Sequence, residues 1–304
     1  MVLPALSCPT SAAGLTIAGL QCLNLLAGAN ELASPTPYSK FATASSSSPL
    51  AAVGGDDVPS RTGMLAIYVP PAVTAAAALG LTPSAAGNGR EAIVCALLLV
   101  HFVKRVLETL FVHRYSGTMK AATAGFIGVF YSLVTMLISV MQAGVPASVY
   151  AGADQALAVA LSLFGVGELG NLWHHALLAD MRKHDDEPTA GAAPIPPPPP
   201  VEEQEGAAGS GSGSSAAAAA AGSRLSYRVP SGGLFDLVTA PHYLFEITAW
   251  VGIAVATQQL NACLVALGMA SYLAGRAAAT TRWYADTFGA AWPAERRHLV
   301  PFLF

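Results

Sequence analysis

The chain has 304 residues, of which 53% are hydrophobic and only 11% are charged, and its formal net charge is −3. A soluble domain carries about 25% charged residues. The composition, with a mean hydropathy of +0.50, therefore excludes an ordinary soluble globule and indicates a membrane protein. The small negative charge leaves no basic patch for a phosphate backbone, which excludes a nucleic-acid partner. Four scattered cysteines without a C-x-x-C pair indicate free thiols rather than a disulfide framework.

Apolar segments long enough to cross a bilayer recur along the chain. A spanning helix needs about 20 predominantly apolar residues. The predicted fold class is an all-α integral membrane protein with about seven transmembrane helices. The first segment lacks the basic residues that begin a signal peptide, so we interpret it as a retained helix. The predicted spans are residues 5–29, 62–82, 91–112, 121–143, 149–178, 235–258 and 260–283.

The segment between the fifth and sixth spans has a different composition. It contains PIPPPPP at 194–200 and GSGSGSS at 209–215, and such tracts are typical of flexible linkers. The chain is therefore expected to divide into two N-terminal helices with their loop, helices three to five, the linker, and two C-terminal helices. These four parts are residues 1–89, 90–182, 183–224 and 225–304.

The distribution of basic residues predicts the orientation in the membrane. With seven spans, eleven of the fifteen Lys and Arg residues fall on one side, and Arg90 alone falls on the other. Because loops rich in Lys and Arg remain in the cytosol, we expect a lumenal N-terminus. The linker and the C-terminus are then cytosolic.

Ionisable side chains inside the predicted spans are candidates for function, because a charge at the bilayer centre costs at least about 2.5–3.5 kcal/mol. In the third span, His101, Arg105 and Glu108 share one helix face. Lys104 lies one turn before Glu108. Two interpretations stay open: a functional polar face, or a Lys104–Glu108 pair that only neutralises itself.

Polar stripes also occur in the last three spans. In the fifth span, Glu168, Asn171, His175 and Arg182 lie on one face, which predicts the lining of a polar ligand site rather than helix contacts alone. Arginines, an amide and phenols together suit a phosphate-bearing ligand that enters from the cytosol. Two shorter stripes are His242, Tyr243 and Glu246 in the sixth span, and Arg276, Thr280 and Tyr284 in the seventh. For the stripe in the seventh span, anchoring of the helix at the membrane edge is an alternative to ligand binding.

Two motifs suggest other chemistry and are rejected. GVGELG at 165–170 matches the letters of the dinucleotide-binding fingerprint, but it lies in an apolar helix, where glycines permit close packing. His174 and His175 are adjacent, but the chain has no further histidine pairs to complete a di-iron site. No metal site is therefore predicted.

Several segments resemble the steroid 5α-reductase superfamily. KRVLETLFVHRYSGTMK (104–120) is similar to the third-helix region of trans-2-enoyl-CoA reductases, and SYRVPSGGLFDLV (226–238) resembles a steroid 5α-reductase loop. Further similar segments are PHYLFEITAWVG (241–252) and the C-terminal 282–304, shared by both branches, and YSKFATASSSS (38–48) and SRTGML (60–65), which resemble plant and algal 3-oxo-5α-steroid 4-dehydrogenases.

The resemblance implies a seven-helix enzyme of the endoplasmic reticulum that uses NADPH to reduce a C=C bond conjugated to a carbonyl. It implies that Tyr243 donates a proton, that Lys104 stabilises the resulting phenolate, and that Glu246 either orients the site or pairs with a residue of a neighbouring helix. The expected cofactor contacts are Asn171, Arg182, Tyr227, Arg276 and Tyr284 from the resemblance, with Arg105, His175 and His242 added from the polar stripes.

The sequence departs from the family where the substrate carbonyl is held. Steroid 5α-reductases have a Gln-Glu pair on the second helix, whereas this chain has Ile67 and Tyr68 there. Either Tyr68 replaces the acid as a catalytic residue, or Tyr243 alone polarises the carbonyl.

The predicted function is NADPH-dependent reduction of a conjugated C=C bond in a lipid by an oxidoreductase that acts on CH–CH groups. The substrate alternatives are a 3-oxo-Δ4 steroid, a trans-2-enoyl-CoA of very-long-chain fatty acid elongation, and a polyprenol. A transporter-like protein with seven helices and an inactive paralogue are the remaining alternatives. The expected partners are the membrane, the lipid substrate and other lipid-synthesis enzymes.

Overall fold

The computed structural model describes residues 5–36, 55–82, 89–115, 117–183 and 228–304. Nearly all of the predicted linker, and Tyr227, lie outside these ranges. Within them, eight α-helices follow one another in the chain. They are α1 (Ala12–Leu23), α2 (Ala27–Ala33), α3 (Ser60–Leu81), α4 (Gly89–Leu107), α5 (Ala121–Ala143), α6 (Asp154–Lys183), α7 (Pro241–Thr257) and α8 (Leu260–Phe288).

Short elements complete the described fold. A 3₁₀ turn over Asn24–Leu26 joins α1 to α2, and a π-helical turn over Glu108–Val112 extends α4. Strand β1 (Asp57–Pro59) pairs antiparallel with β2 (Thr118–Lys120) at the start of α3 and α5. The sequence did not predict this sheet, because strands of three residues are too short to show an alternating pattern. Further 3₁₀ turns are Ala147–Tyr150, Gly233–Asp236 and Gly289–Ala291.

Five helical regions are long and apolar enough to cross a membrane, which indicates a multi-pass membrane protein. They overlap the first, second, fourth, fifth and seventh predicted spans: Ala12–Ala33, Ser60–Leu81, Ala121–Ala143, Asp154–Arg182 and Leu260–Ala291. The third and sixth predicted spans correspond to α4, which carries four charged residues, and to α7, which has 17 residues. The count of seven spans and the orientation of the termini stay predictions.

Small residues allow α6 and α7 to pack closely. A methyl group added at Gly167 would clash with the backbone of Ala249, and one added at Gly170 would clash with the Phe245 ring. Residues 165–170 therefore lie inside α6, where they contact α7, and do not form a dinucleotide-binding loop. This contact fixes the polar faces of α6 and α7 relative to each other.

The N-terminal helices pack chiefly on α8. Gly28 and Gly275 lie so close that neither position has room for a methyl group without movement of the other helix. At the lumenal end of the predicted topology, the backbone of Ser7 pairs with Gln258 and Leu260. These contacts fix the N-terminal segment against α8 and the turn before it.

Candidate active site

A polar cavity of about 210 Å³ lies among α3, α4, α6, α7 and α8. The structure brings eight of the twelve predicted site residues to its lining, although they come from four helices. Those eight are Tyr68, Arg105, Asn171, His175, Arg182, His242, Tyr243 and Glu246.

The Tyr68 hydroxyl is held by a cation. Arg105 Nη2 donates to it over 2.6 Å, and the guanidinium carbon lies 4.7 Å from the centre of the same ring. Tyr68 is 8% exposed, so its position is fixed by packing as well as by the hydrogen bond. A phenol that accepts from an arginine keeps its own O–H free to donate, which suits it to stabilise negative charge on a carbonyl oxygen.

Glu108 is the centre of an ion-pair network at the end of α4. Its carboxylate accepts from Arg105 over 2.7 Å, lies 3.4 Å from Lys104 Nζ, and lies 3.1 Å from His175 Nδ1. The Lys104–Glu108 pair of the sequence thus exists, but it is one contact in a larger network. Glu108 begins the π-helical turn, a distortion that is common at functional sites.

A second set of ion pairs lies deeper between α4, α6 and α7. His101 Nδ1 is 2.6 Å from Glu168, and His101 Nε2 is 3.4 Å from Glu246. Lys104 Nζ is 2.9 Å from Glu168 and donates to the Asn171 side-chain oxygen over 2.6 Å. His101 and Glu168 were visible in the polar stripes but were not assigned a role, because helical spacing does not reveal partners on other helices.

The rim of the polar cavity carries further cations. Arg182 Nη1 donates to the backbone carbonyl of Arg114 over 2.5 Å, and both residues line the cavity. Burial and the neighbouring His175 and Arg105 lower the pKa of His113 to about 2, so this ring is neutral at physiological pH. The sequence did not identify Arg114 or His113, which lie in the segment after the π-helical turn.

Three predicted site residues have other surroundings. Arg276 is buried in an ion pair with Glu31 of α2, and the Glu31 carboxylate also accepts from Thr36. Tyr284 stacks on Trp292, with ring centres 5.0 Å apart. Among the described residues, Lys104 contacts Glu108, Glu168 and Asn171 rather than Tyr243. The proposed Lys104–Tyr243 pair is therefore not formed here.

The twelfth predicted site residue, Tyr227, is not among the described residues. Glu31 was missed by the sequence interpretation, because α2 has no polar stripe that marks it. Only the pairing with Arg276, 245 residues away in the chain, reveals its role.

A second cavity of about 270 Å³ adjoins the first and is mostly apolar. Ile67 lines it on α3, Phe126 and Phe130 line it on α5, and Trp250 lines it on α7. We call it the apolar cavity. Five residues line both cavities and form their border: Met64, Tyr68, Tyr131, Met269 and Tyr272.

One group of side chains has the ligand types for a metal ion. Ligand atoms of Glu108, His113 and His175 lie within 4.8 Å of one another. However, Glu108 is already neutralised by Arg105 at 2.7 Å, and a nearby fixed cation opposes a second positive ion. The absence of a metal site stays a prediction.

Comparison with known proteins identifies relatives in two branches. Residues 219–304 match the family model described as 3-oxo-5-alpha-steroid 4-dehydrogenase. The chain is 29% identical over 216 residues to a very-long-chain enoyl-CoA reductase of Dictyostelium discoideum, which covers 70% of this chain and 58% of that protein. It is 37% identical over 78 residues to a steroid 5-alpha-reductase of Solanum lycopersicum, covering 26% of this chain and 30% of that protein.

A third relative is 3-oxo-5-alpha-steroid 4-dehydrogenase 1 of Macaca fascicularis. It is 41% identical over 78 residues, which are 26% of this chain and 29% of that protein. The chain thus spans less than two thirds of each relative. The resemblance drawn from the sequence motifs is confirmed, including its division between the two branches.

Proposed function

We propose that this chain, whose residues 219–304 carry the domain of the 3-oxo-5-alpha-steroid 4-dehydrogenase family, reduces a C=C bond conjugated to a carbonyl in a lipid. The observation that carries the proposal is the position of the Tyr68 hydroxyl. Tyr68 lines both the polar and the apolar cavity, and Arg105 donates to it over 2.6 Å. An enone at this border would have its carbonyl beside a fixed donor and its hydrocarbon in the apolar cavity.

The chemistry requires such a donor. Hydride transfer to the β-carbon moves negative charge to the carbonyl oxygen, and a preorganised donor at that oxygen stabilises the transition state. A proton from the solvent then adds to the α-carbon and completes the reduction. Tyr68 donates its O–H to the oxygen while Arg105 donates to Tyr68, so the positive charge of Arg105 supports the developing anion. Arg105 is itself fixed by Glu108 at 2.7 Å, which prevents it from turning away.

The residues of the polar cavity fit an anionic nucleotide cofactor, and we propose NADPH. Arg105, Arg114 and Arg182 line this cavity, and guanidinium groups bind phosphates by paired hydrogen bonds. The volume of about 210 Å³ is below the 300–1,000 Å³ of typical ligand pockets. It therefore suits the reacting end of a dinucleotide rather than the whole molecule. NADPH supplies the hydride when bound.

The other residues of the polar cavity receive supporting roles in this proposal. Tyr243 lines the polar cavity and not the apolar one, which favours a place beside the cofactor over a place at the carbonyl. Glu246 lines the same cavity and contacts His101 at 3.4 Å. We assign it the task of orienting the site, which is one of the two roles that the family resemblance implies for it. Asn171 is fixed for cofactor contact, since its Nδ2 donates to the His242 carbonyl over 2.9 Å.

The relatives favour two of the three substrate classes, the enoyl-CoA and the steroid. The enoyl-CoA reductase relative matches 70% of this chain, whereas the steroid reductases match 26% at higher identity. Purified protein in lipid nanodiscs with NADPH should therefore be offered a 3-oxo-Δ4 steroid, a trans-2-enoyl-CoA and a polyprenol in parallel. Product formation is followed by mass spectrometry, with Tyr68→Phe as the inactive control. Failure of both the steroid and the enoyl-CoA to react would contradict the proposal, and so would reduction of the polyprenol alone, because a polyprenol has no carbonyl conjugated to its C=C bond.

A further inference from the structure

The two walls of the apolar cavity differ in polarity. The wall from α3 and α5 presents apolar and aromatic side chains, with Tyr68 and Tyr131 at the border. The wall from the N-terminal helices presents Asn24, Asn30, Glu31 and Thr36. The cavity is lined by both walls. A lipid inside it contacts both.

The polar side chains of the N-terminal wall are not alike. Glu31 accepts from Arg276 and from Thr36, so its carboxylate is satisfied within the protein. In contrast, no hydrogen bond joins the Asn24 or Asn30 side chain to another described residue. Two amide groups therefore reach an apolar cavity with their hydrogen-bonding capacity unused by the described chain.

Asn24 is the better placed of the two. It is half-buried, whereas Asn30 is exposed. It lies in the 3₁₀ turn between α1 and α2, beside Gly268 of α8. A methyl group at Gly268 would come within 2.9 Å of the Asn24 β-carbon, so the glycine provides the space in which this side chain sits. One turn earlier, the Gln21 side-chain oxygen is buried without a hydrogen-bond partner among the described residues.

We propose that Asn24 recognises a second polar group of the substrate, at the end remote from the enone. An amide that an apolar ligand covers without offering it a hydrogen-bond partner loses its hydrogen bonds to water, and this cost weakens binding. A hydroxyl or carbonyl on the ligand would remove that cost, because an amide both donates and accepts. The substrate class is then a compact lipid with a hydrogen-bonding group at each end rather than a single acyl chain. This inference rests on the proposed function for the enone end.

The test compares two ligands that differ in one group. The 17-hydroxylated steroid 17β-hydroxyandrost-4-en-3-one and its 17-deoxy counterpart are titrated into purified protein in nanodiscs. Quenching of tryptophan fluorescence reports binding, since Trp250 lines the apolar cavity. One net hydrogen bond corresponds to about a fivefold difference in Kd. We expect the wild type to bind the hydroxylated steroid about fivefold tighter.

Variants locate the effect. Asn24→Leu and Asn24→Ala should reduce the ratio of the two Kd values to about one and leave the Kd of the deoxy steroid within about twofold. Leu25→Ala is the matched control, because Leu25 is exposed on the same turn and does not line the cavity. It should keep the wild-type ratio. Equal binding of both steroids by the wild type, binding of neither, or an unchanged ratio in both Asn24 variants would overturn the inference.

Binding and turnover are read separately in this design. A wild type that shows the binding ratio but reduces no enone with NADPH contradicts the proposed function and leaves the Asn24 contact supported. A wild type that reduces enones without the ratio contradicts the Asn24 contact alone.

Discussion

The polar and apolar cavities share five lining residues but are built by different means. Ion pairs hold the polar cavity, with Arg105, Lys104 and His101 facing Glu108, Glu168 and Glu246. The apolar cavity is shaped by aromatic side chains and by the N-terminal helices on α8. The difference suggests that charge fixes the chemistry on one side and shape selects the lipid on the other. Tyr68 is the residue where the two requirements meet.

The largest expected effect is at this border. Tyr68→Phe removes the donor proposed for the carbonyl oxygen, and loss of one such donor costs about 10²–10³ in kcat. We expect kcat to fall at least about 100-fold. Binding of the cofactor in the polar cavity and of the lipid in the apolar cavity should persist. Steady-state kinetics with NADPH and the best of the three lipids measures kcat.

Tyr131→Phe is the matched control for that variant. Tyr131 stacks on Tyr68 with ring centres 6.4 Å apart and lines both cavities. Its hydroxyl has no proposed contact with the carbonyl, so kcat should change less than about threefold. An equal loss of kcat in both variants would mean that the two hydroxyl groups matter for packing at the border. It would contradict the specific role of the Tyr68 hydroxyl as a donor to the carbonyl oxygen.

The polar cavity could be anticipated in part from the sequence, because on each helix the spacing brings the polar residues to one face of that helix. Arg105 and Glu108, and likewise Asn171 and His175, share faces by simple periodicity. Spacing cannot show contacts between helices. That is why Arg276 was expected at the cofactor although the structure pairs it with Glu31.

The apolar cavity was not anticipated at all. Most of its lining residues are hydrophobic and resemble every other lipid-facing or core position, so only the packing of distant helices reveals it. The five membrane-length helices were visible in the sequence for the opposite reason, since length and hydropathy are local properties.

The next prediction separates cofactor binding from lipid binding. Arg182→Gln removes a cation from the rim of the polar cavity, and a hydrogen bond to a charged group contributes about 1.5–3 kcal/mol. We expect the KM for NADPH to rise about tenfold or more, and the KM for the lipid to stay within twofold. Arg297→Gln, outside both cavities, should change neither constant. A parallel rise in both constants for Arg182→Gln would argue against separate sites.

The reciprocal change is made in the apolar cavity. Val134 lines it and is 9% exposed, so Val134→Phe fills space that the lipid would occupy. We expect the lipid KM to rise about fivefold, in the range of one to two buried methylene groups, with the NADPH KM unchanged. Val140→Phe on the exposed face of α5 is the control. If Val134→Phe weakened only NADPH, the assignment of the two cavities would be reversed.

The smallest expected effect concerns stability at the rim of the polar cavity. The pKa of His113 is about 2 in the folded protein and about 6.5 in an unfolded chain. Below pH 6.5 the unfolded state therefore binds a proton that the folded state does not, and the free energy of unfolding falls as the pH falls. With allowance for partial exposure, we expect a loss of about 1 kcal/mol between pH 7 and pH 5. His113→Asn, which cannot titrate, should lose less stability over that interval. Thermal unfolding in detergent at both pH values measures the difference. Equal losses of stability in the two proteins would show that His113 is protonated in the folded state at pH 5. The rim of the polar cavity would then be more hydrated than the burial of His113 indicates.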